Sequence, residues 1–297
     1  MSGMNESDLK ELDDLVVSAL QRRDNSQLSI LGFGEVSVAL GFPADAPRLV
    51  CKRTPPMPRQ HFDDYQSLVD RYVAELRSAG LTVIDTTVQA VERDGAVAGY
   101  LVQPLLPAAT LGHNVLAAAE PDPDHEFLVA LGQTLEVVSD RLSIDAQVTN
   151  WSWDGSTLTL IDVGTPFMWD QTGALQLDLK PYTPMISAPL RGVVMKDLTN
   201  MIDRWRAPRG VAVDVVANLY REGLDVWVEP MITALNRRLG DGVTPVVADE
   251  ARAIYDEDLK TWPRLNKLKK LERAWQTGVR RRPYDFFIQT TYGDDSI

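Results

Sequence analysis

The sequence places two carboxylates directly after apolar residues in its central part, with one amide between them. Asp145 follows an isoleucine, Asn150 comes five residues later, and Asp162 follows a Leu-Ile pair. Loops that are held by such apolar segments place polar groups rigidly at a cleft. Carboxylate and amide oxygens suit a Mg²⁺ ion or the orientation of a substrate hydroxyl. The alternative is that the two aspartates are turn residues that cap local backbone.

A lysine lies inside a predicted strand. Lys52 follows Leu49, Val50 and Cys51, and an unpaired buried ammonium group is very costly. Alternation along a strand puts Val50 and Lys52 on one face and Cys51 on the other. The helix predicted to follow offers Glu75 as an ion-pair partner. The alternative is an edge-strand lysine that points into water.

Two glycines lie between the first two predicted strands, in the segment Gly32-Phe-Gly34-Glu-Val-Ser37. Glycine lets the backbone of a hairpin approach a phosphate and offer its N–H groups. A Gly-x-Gly pattern by itself is weak evidence, and the alternative is an ordinary hairpin turn.

The elements that must position these residues follow from the spacing of apolar side chains. Helical spacing predicts helices over 6–22 and 61–79. Apolar runs bounded by glycine and proline predict strands, at 28–31, 36–40, 48–53, 81–91 and 97–103. The Asp94-Gly95 pair predicts the turn between the last two strands. This order predicts a small antiparallel sheet with one long helix.

The pattern changes after Pro104 and Pro107. A helix is predicted over 127–142 and a second hairpin over 151–161. From residue 190 onward the pattern is mostly helical. We therefore expect an α+β chain in three parts: an N-terminal helix (1–23), a sheet-containing part (24–104) and a mostly helical part (105–297).

Together these signals resemble the protein-kinase-like superfamily. The similarity is to its branch of aminoglycoside phosphotransferases and small-molecule kinases, and to uncharacterised bacterial kinase-like families. Asp145 with Asn150 resembles the Asp-x-x-x-x-Asn catalytic loop, and Asp162-Val-Gly164 resembles the Asp-x-Gly metal motif. The match covers residues 28–167. The resemblance implies a bilobal fold, in which a small antiparallel-sheet N-lobe with one long helix precedes a mostly helical C-lobe.

The resemblance also implies a role for each matched residue. Asp145 would accept or orient the proton of the substrate hydroxyl, and Asn150 with Asp162 would hold Mg²⁺. ATP would be bound by the glycine-rich loop, the strand lysine with its helix partner, and the hinge that passes the adenine. These positions are Gly32, Gly34, Ser37, Val50, Lys52, Glu75, Gln103 and Leu105. The implied activity is transfer of a phosphoryl group from ATP to the hydroxyl of a small molecule.

Several positions depart from the family pattern. Ser37 replaces the third glycine of the loop, and Ser143 stands where a histidine usually braces the catalytic loop. The Ala-Pro-Glu marker of protein-kinase activation segments is absent from the sequence. Ala39 and Val50 exchange the sizes usual in the family, so we expect them to face each other over the adenine. The departures leave two alternatives, a pseudokinase-type nucleotide-binding regulator and an atypical kinase that acts on protein.

Composition and charge narrow the functional class. The chain has 297 residues, 44% apolar residues and a net charge of −12, which is typical of a globular protein and argues against a nucleic-acid partner. One cysteine excludes an internal disulfide, and the three histidines lack metal-ligand spacing. Apolar runs are too short for a membrane span. The polar N-terminus is unlike a secretion signal, so we expect a cytoplasmic location.

The acceptor is expected to bind to the C-terminal half of the chain. An acidic cleft there would favour a cationic small molecule such as an amino sugar. The alternative is that the acids of this half are solvated surface groups. The candidates are Asp170, Asp178, Asp197, Asp203 and Glu229.

The charge is unevenly distributed. Residues 260–282 carry nine Lys and Arg but only one acid, Glu272. This segment could contact anionic lipid, RNA or a partner protein. The interpretation that we prefer is a surface helix docked on the acidic body of the same chain.

Overall fold

The computed structural model of the protein describes residues 4–33, 37–185, 191–192, 199, 202–281 and 284–288. Within these residues the chain is α+β, with a five-stranded antiparallel sheet followed by a helical C-terminal part. This agrees with the predicted class. Gly34 and Asp197 lie outside the described residues, so the predictions that concern them are not addressed by the structure.

The strands form two sheets. Their bounds are β1 Ser29–Phe33, β2 Val38–Phe42, β3 Leu49–Arg53, β4 Thr82–Val83, β5 Thr87–Arg93, β6 Ala96–Pro104, β7 Trp151–Trp153 and β8 Leu158–Leu160. The larger sheet has the order β1-β2-β3-β6-β5, and the smaller sheet has the order β4-β8-β7. The predicted turn between β5 and β6 is confirmed, because Asp94 and Gly95 both have positive φ angles, 52° and 79°.

The single strand predicted over 81–91 is divided in two. The chain leaves the smaller sheet after Val83 and enters the larger one at Thr87. β4 pairs in parallel with β8, a long-range pairing that local periodicity does not report. The smaller sheet therefore connects the end of the long helix to the central hairpin.

The helices have the following bounds: α1 Glu6–Arg22, α2 Arg59–Ser78, α3 Gly112–Ala117, α4 Glu126–Gln133, α5 Pro208–Arg221, α6 Val228–Leu239 and α7 Ala248–Ala274. The predictions for α1 and α2 are confirmed to within two residues. The helix predicted over 127–142 is shorter, because α4 is followed by a 3₁₀ turn that ends at Val137. Ser139 then accepts hydrogen bonds from the backbone of Arg141 and Leu142, which holds the chain in a turn.

The larger sheet is covered on both faces. On one face, apolar residues of α1 form a core cluster with residues such as Leu40, Cys51 and Tyr100. On the other face, α2 joins the sheet to the main core, which extends to α5 and α6. Lys52 alternates with Cys51 and therefore lies on the α2 side, as the sequence predicts.

A buried carboxylate fixes α1 on its face of the sheet. Asp13 is fully buried and accepts hydrogen bonds from Arg53 and Arg93, each at 3.1 Å, and from the Tyr100 hydroxyl at 2.7 Å. Since removing one partner of a buried ion pair leaves an uncompensated charge, this group specifies where the helix packs. Arg53 also donates to the backbone of Asp285 at 3.5 Å. The segment that contains Asp285 thus packs back on the sheet-containing part of the chain.

No helix in the described part of the chain combines the length and the hydropathy that are needed to cross a bilayer.

Candidate functional site

A hairpin brings Asn150 next to Asp162. β7 begins directly after Asn150, and β8 ends two residues before Asp162. Trp151 pairs with Leu160 across the hairpin, and the Ile161 N–H donates to the Asn150 carbonyl at 2.9 Å. The hairpin therefore converts a separation of twelve residues in sequence into adjacency in space.

The strand lysine reaches this hairpin. Lys52 Nζ lies 3.0 Å from Asp162 Oδ2, and the two side chains are 17% and 37% exposed. The other carboxylate oxygen of Asp162 accepts the Gly164 N–H at 3.0 Å. Since each group is only partly exposed, the ion pair lies at the edge of the core, where charges attract more strongly than in water. Two predicted site residues are thus in direct contact.

The predicted ion pair between Lys52 and Glu75 is wrong. Glu75 is exposed near the C-terminal end of α2, while the ammonium group of Lys52 is engaged by Asp162. Residues of α2 that face the core follow helical spacing, and Glu75 precedes the buried Leu76 on a different face. Helical phase therefore excludes Glu75 from the contact that chain order suggested.

Two tyrosines of α2 hold the two loops of the site. The Tyr65 hydroxyl donates to the Gly164 carbonyl at 2.8 Å, and the Tyr72 hydroxyl donates to the Ser143 carbonyl at 2.8 Å. Burial raises the pKa of both phenols well above the usual value, with further contributions from nearby aspartates. Both groups therefore remain protonated donors at neutral pH. The seven-residue spacing of two hydroxyls on an apolar helix face was the signal that could have identified them.

Ser143 replaces the expected bracing histidine and is itself firmly held. It is fully buried, and its N–H donates to the Phe167 carbonyl at 3.0 Å. Its hydroxyl donates to the Trp205 carbonyl, and its own carbonyl accepts from Tyr72. The loop that carries Asp145 is thus ordered without a histidine.

The Asp145 loop is also held by hydrogen bonds between its own residues and by close contact of its backbone with α3. Asn150 Nδ2 donates to the Asp145 carbonyl at 3.2 Å, and the Gln147 N–H donates to Asp145 Oδ1 at 3.3 Å. A Cβ at Gly112 would collide with the Val148 carbonyl oxygen. Glycine at the start of α3 therefore allows the loop to lie directly on the helix.

Gly164 is also closely surrounded. A Cβ at this position would lie 3.3 Å from Asp162 Oδ1 and 4.0 Å from the Tyr65 hydroxyl. Glycine thus lets the Asp162 carboxylate fold back onto the following backbone N–H. Tyr182 is a further residue beside this carboxylate that sequence reasoning missed, and its pKa is raised to about 12 by burial and by Asp162.

On the face of the larger sheet that carries Lys52, neighbouring residues lead toward Gln103 of the expected hinge. Ala39 is opposite Lys52, and Val50 is opposite Gly41, so Ala39 and Val50 lie diagonally on the same face and are half-buried. Gln103 is in register with Val50 on the other side of β3. Ala39, Val50 and Gln103 therefore lie on the sheet face that Lys52 shares.

The two hinge candidates, Gln103 and Leu105, differ in which of their groups are exposed. Gln103 is 3% exposed, and its side-chain amide donates to Thr86 at 2.9 Å, so its side chain is engaged within the protein. Leu105 is 37% exposed, and its N–H donates to the Arg48 carbonyl at 2.9 Å. Leu105 therefore presents an apolar side chain rather than a backbone donor.

The glycine-rich segment is described only at its two ends. The predicted hairpin is confirmed, since β1 and β2 pair antiparallel. Gly32 lies within β1, and among the described residues no atom lies within 4 Å of the position that a Cβ would occupy. Ser37 is half-buried and directly precedes β2.

The metal ligands that the resemblance implies are two oxygen donors on adjacent loops. Asp162 supplies a carboxylate, and Asn150 supplies an amide oxygen, while its amide nitrogen donates to the Asp145 carbonyl. Among the described residues no group of three or more His, Cys, Asp or Glu could hold a metal by itself. Mg²⁺ in nucleotide sites is held by one or two protein ligands together with phosphates, and this donor set fits that requirement.

The described acidic candidates for the acceptor site are surface groups. Asp170, Asp203 and Glu229 are exposed, and Asp178 lies 2.8 Å from His61 Nδ1. Their exposure favours the solvated-surface alternative.

A polar cluster on α5 instead adjoins the loop of Asp145. Asn218 donates to Gln147 at 3.2 Å and to Glu222 at 3.3 Å, and Asp214 hydrogen-bonds to Gln147 as well. Burial raises the pKa of Asp214 to about 6, against the attraction of Arg221. Residues 214, 218 and 222 share one helix face, so α5 contributes the polar side chains nearest to this loop.

Comparison with protein families gives a match over most of the chain. The sequence profile of a protein family, described as a family of unknown function (DUF6206), matches residues 11–273. No curated protein matches the sequence. The family therefore supplies a relationship over most of the chain but no activity.

Proposed function

The chain belongs to the DUF6206 family, whose function is unknown, and we propose from the geometry of its own residues that it is a nucleotide-binding phosphotransferase of protein-kinase-like fold. The proposal rests chiefly on one observation, the 3.0 Å contact between Lys52 Nζ and Asp162 Oδ2. This contact joins the strand lysine to the aspartate of the Asp-x-Gly motif. Both residues occur in the chain order and in the secondary-structure elements that carry the corresponding residues in phosphoryl-transfer enzymes of the kinase type.

Two further features support a kinase-like arrangement. The five-stranded antiparallel sheet has its long helix directly after β3, the strand that carries Lys52. Handling of ATP in protein kinases uses a lysine on the same strand. The loop of Asp145 and the loop of Asp162 both contact α2 through tyrosine hydroxyls.

Each residue can be given a chemical role on this proposal. Lys52 would leave Asp162 on nucleotide binding and neutralise phosphate charge, since an ammonium group pairs equally well with a phosphate oxygen. Asp162 and Asn150 would hold Mg²⁺, which supplies charge neutralisation at the phosphates when bound. Asp145, on a loop braced at both ends, would orient the acceptor hydroxyl. The exposed side chain of Leu105 and the half-buried Val50 would contact the adenine.

A second candidate, a nucleotide-binding regulator without transfer activity, is favoured by one specific observation. Lys52 does not pair with Glu75 of α2, because Glu75 is exposed and the ammonium group of Lys52 contacts Asp162 instead. In active protein kinases that pairing must be in place. Ser143 does not favour this candidate, because its hydrogen bonds order the loop that a histidine would otherwise brace.

Thermal stability with and without nucleotide tests the site. A ligand that binds only the folded state raises stability by RT ln(1 + [L]/Kd), so ATP with Mg²⁺ should raise the Tm of the full chain. Lys52→Met and Asp162→Asn should abolish this shift. Lys10→Met is a matched control, because Lys10 is exposed on α1 and should leave the shift unchanged.

Transfer of phosphate from γ-labelled ATP to a panel of small alcohols and amino sugars then separates the two candidates. Asp145→Asn should abolish transfer but retain the Tm shift if the protein is a phosphotransferase. A Tm shift without transfer to any acceptor or release of ADP would favour the regulator. The nucleotide site would be refuted if ATP gave no shift, or if the Lys52 and Asp162 variants kept it.

A further inference from the structure

The end of α7 and the π-helical turn that follows it, Trp275–Val279, expose large apolar side chains to solvent. Leu271, Trp275 and Val279 are 59%, 53% and 62% exposed. They follow one another at intervals of four residues, which is close to one helical turn, so they lie on one face. Exposed apolar residues that form a stripe, rather than occurring singly, mark interaction sites.

The stripe continues toward the N-terminal side as a row of cations. Lys260, Arg264 and Lys267 precede Leu271 at helical spacings of four, three and four residues, and all three are exposed. Helix geometry places them in line with Leu271 and Trp275. We call this face, from Lys260 to Val279, the basic stripe.

The opposite face of the same helix is the one that packs on the chain. Lys269 and Glu272 are only 4% and 9% exposed. Glu272 is the one acid of residues 260–282, so no acid of this segment is exposed beside the basic stripe. The outward face of this helix therefore combines apolar and positively charged side chains.

The acidic body of the chain does not neutralise the outward cations. Within the described residues, no ion pair involves the six exposed cations of the segment, which are Lys260, Arg264, Lys267, Lys270, Arg280 and Arg281. These six outward cations therefore take no part in docking the segment on the acidic body. Arg23 donates to Thr277 at 3.4 Å, so the end of α1 adds two exposed arginines, Arg22 and Arg23, next to the stripe.

We propose that the basic stripe docks on the surface of an anionic lipid bilayer. Such a surface attracts clustered lysines and arginines electrostatically, while Trp, Leu and Val enter the boundary between headgroups and acyl chains. Tryptophan in particular is favoured at headgroup level. Binding to nucleic acid would use the cations but give no role to the aliphatic members of the stripe. The remaining chain carries a net charge of −20, which would be repelled by the bilayer and would orient the protein with this face toward it.

Co-sedimentation of the full chain with large vesicles tests the proposal. The protein should bind vesicles that contain phosphatidylglycerol, not bind pure phosphatidylcholine vesicles, and be released by salt. Each lysine near an anionic surface contributes about 1 kcal/mol, or about a fivefold change in partitioning. Lys260→Gln with Lys267→Gln should therefore reduce partitioning about 25-fold.

Apolar variants test the second part of the contact. Leu271→Gln with Trp275→Gln removes two half-exposed apolar side chains and should reduce partitioning by about tenfold or more. Matched controls are Lys10→Gln and Val226→Gln, which alter an exposed lysine and an exposed valine elsewhere and should bind vesicles as the wild type does. Since all these positions are exposed, the Tm of each variant should equal that of the wild type.

Three results would overturn the proposal. These are absence of binding to anionic vesicles, equal binding to neutral vesicles, and partitioning that is unaffected by the stripe variants. Binding to an RNA oligomer without binding to vesicles would assign the surface to nucleic acid instead. A blue shift of fluorescence on vesicle addition that is lost in Trp275→Phe would support insertion of this side chain.

Discussion

Replacing Tyr72 with phenylalanine should weaken the attachment of the Asp145 loop to α2. The hydroxyl donates to the Ser143 carbonyl at 2.8 Å. Tyr72 is 1% exposed and Ser143 is 0% exposed, so water cannot readily replace the lost donor. The phenylalanine ring fills the same space, and the variant therefore isolates the hydrogen bond from packing.

The magnitude follows from the burial of the acceptor. A buried carbonyl that loses this partner costs about 1–3 kcal/mol. In a chain of this size the change corresponds to a fall in Tm of several degrees. The free energy of unfolding should be measured by urea denaturation followed by tryptophan fluorescence, with the midpoint and the slope fitted separately.

Tyr284→Phe provides a matched control. Tyr284 is 5% exposed, but its hydroxyl has no hydrogen-bond partner among the described residues. Removing it should leave stability unchanged or raise it slightly, since an unsatisfied buried group is lost. The reasoning would be refuted if Tyr72→Phe changed stability by less than about 0.5 kcal/mol, or if Tyr284→Phe lost as much as Tyr72→Phe.

Three further predictions concern the loop, the pH dependence and the nucleotide pocket. Gly112→Ala should destabilise the chain by about 1–3 kcal/mol in urea denaturation, because its Cβ would meet the Val148 carbonyl; an unchanged midpoint would contradict this contact. The pKa of Asp214 is raised to about 6, so the native state binds more protons than the unfolded state, and stability should fall as pH rises from about 4 to 6. Asp214→Asn removes this pH-dependent loss of stability. The free energy of unfolding of the variant, relative to that of the wild type, should therefore increase by about 1–3 kcal/mol between pH 4 and pH 7. A difference that does not change with pH would exclude the pKa shift. Ala39→Val should weaken ATP binding about tenfold by crowding the face that it shares with Val50, and an unchanged affinity measured by calorimetry would remove Ala39 from the pocket.

The local elements could be predicted from the sequence, because each is encoded by nearby residues. Apolar spacing predicted α1 and α2 almost to the residue. Asp94-Gly95 predicted its turn, because glycine and aspartate tolerate the positive φ angles that a tight hairpin requires. Asp145 and Asp162 could be selected because polar groups that follow apolar runs are held by the core, and Asn150 by its spacing from Asp145.

Pairings between distant segments could not be predicted in this way. Chain order suggested Glu75 as the partner of Lys52, but helical phase turns Glu75 to solvent, and the ion pair goes to Asp162. The parallel pairing of β4 with β8 joins segments that carry no common local signal. The uneven charge of residues 260–282 was visible in the sequence, but which cations face outward depends on how α7 packs.

The sequence by itself therefore determined α1, α2, the hairpins, the class of the fold and the residue types available for chemistry, since these depend on short-range periodicity and composition. The tertiary structure decided which charges meet, which tyrosines brace the loops and which face of α7 stays exposed. These outcomes depend on the relative phase and position of elements far apart in the chain, which are set only when the core packs as a whole.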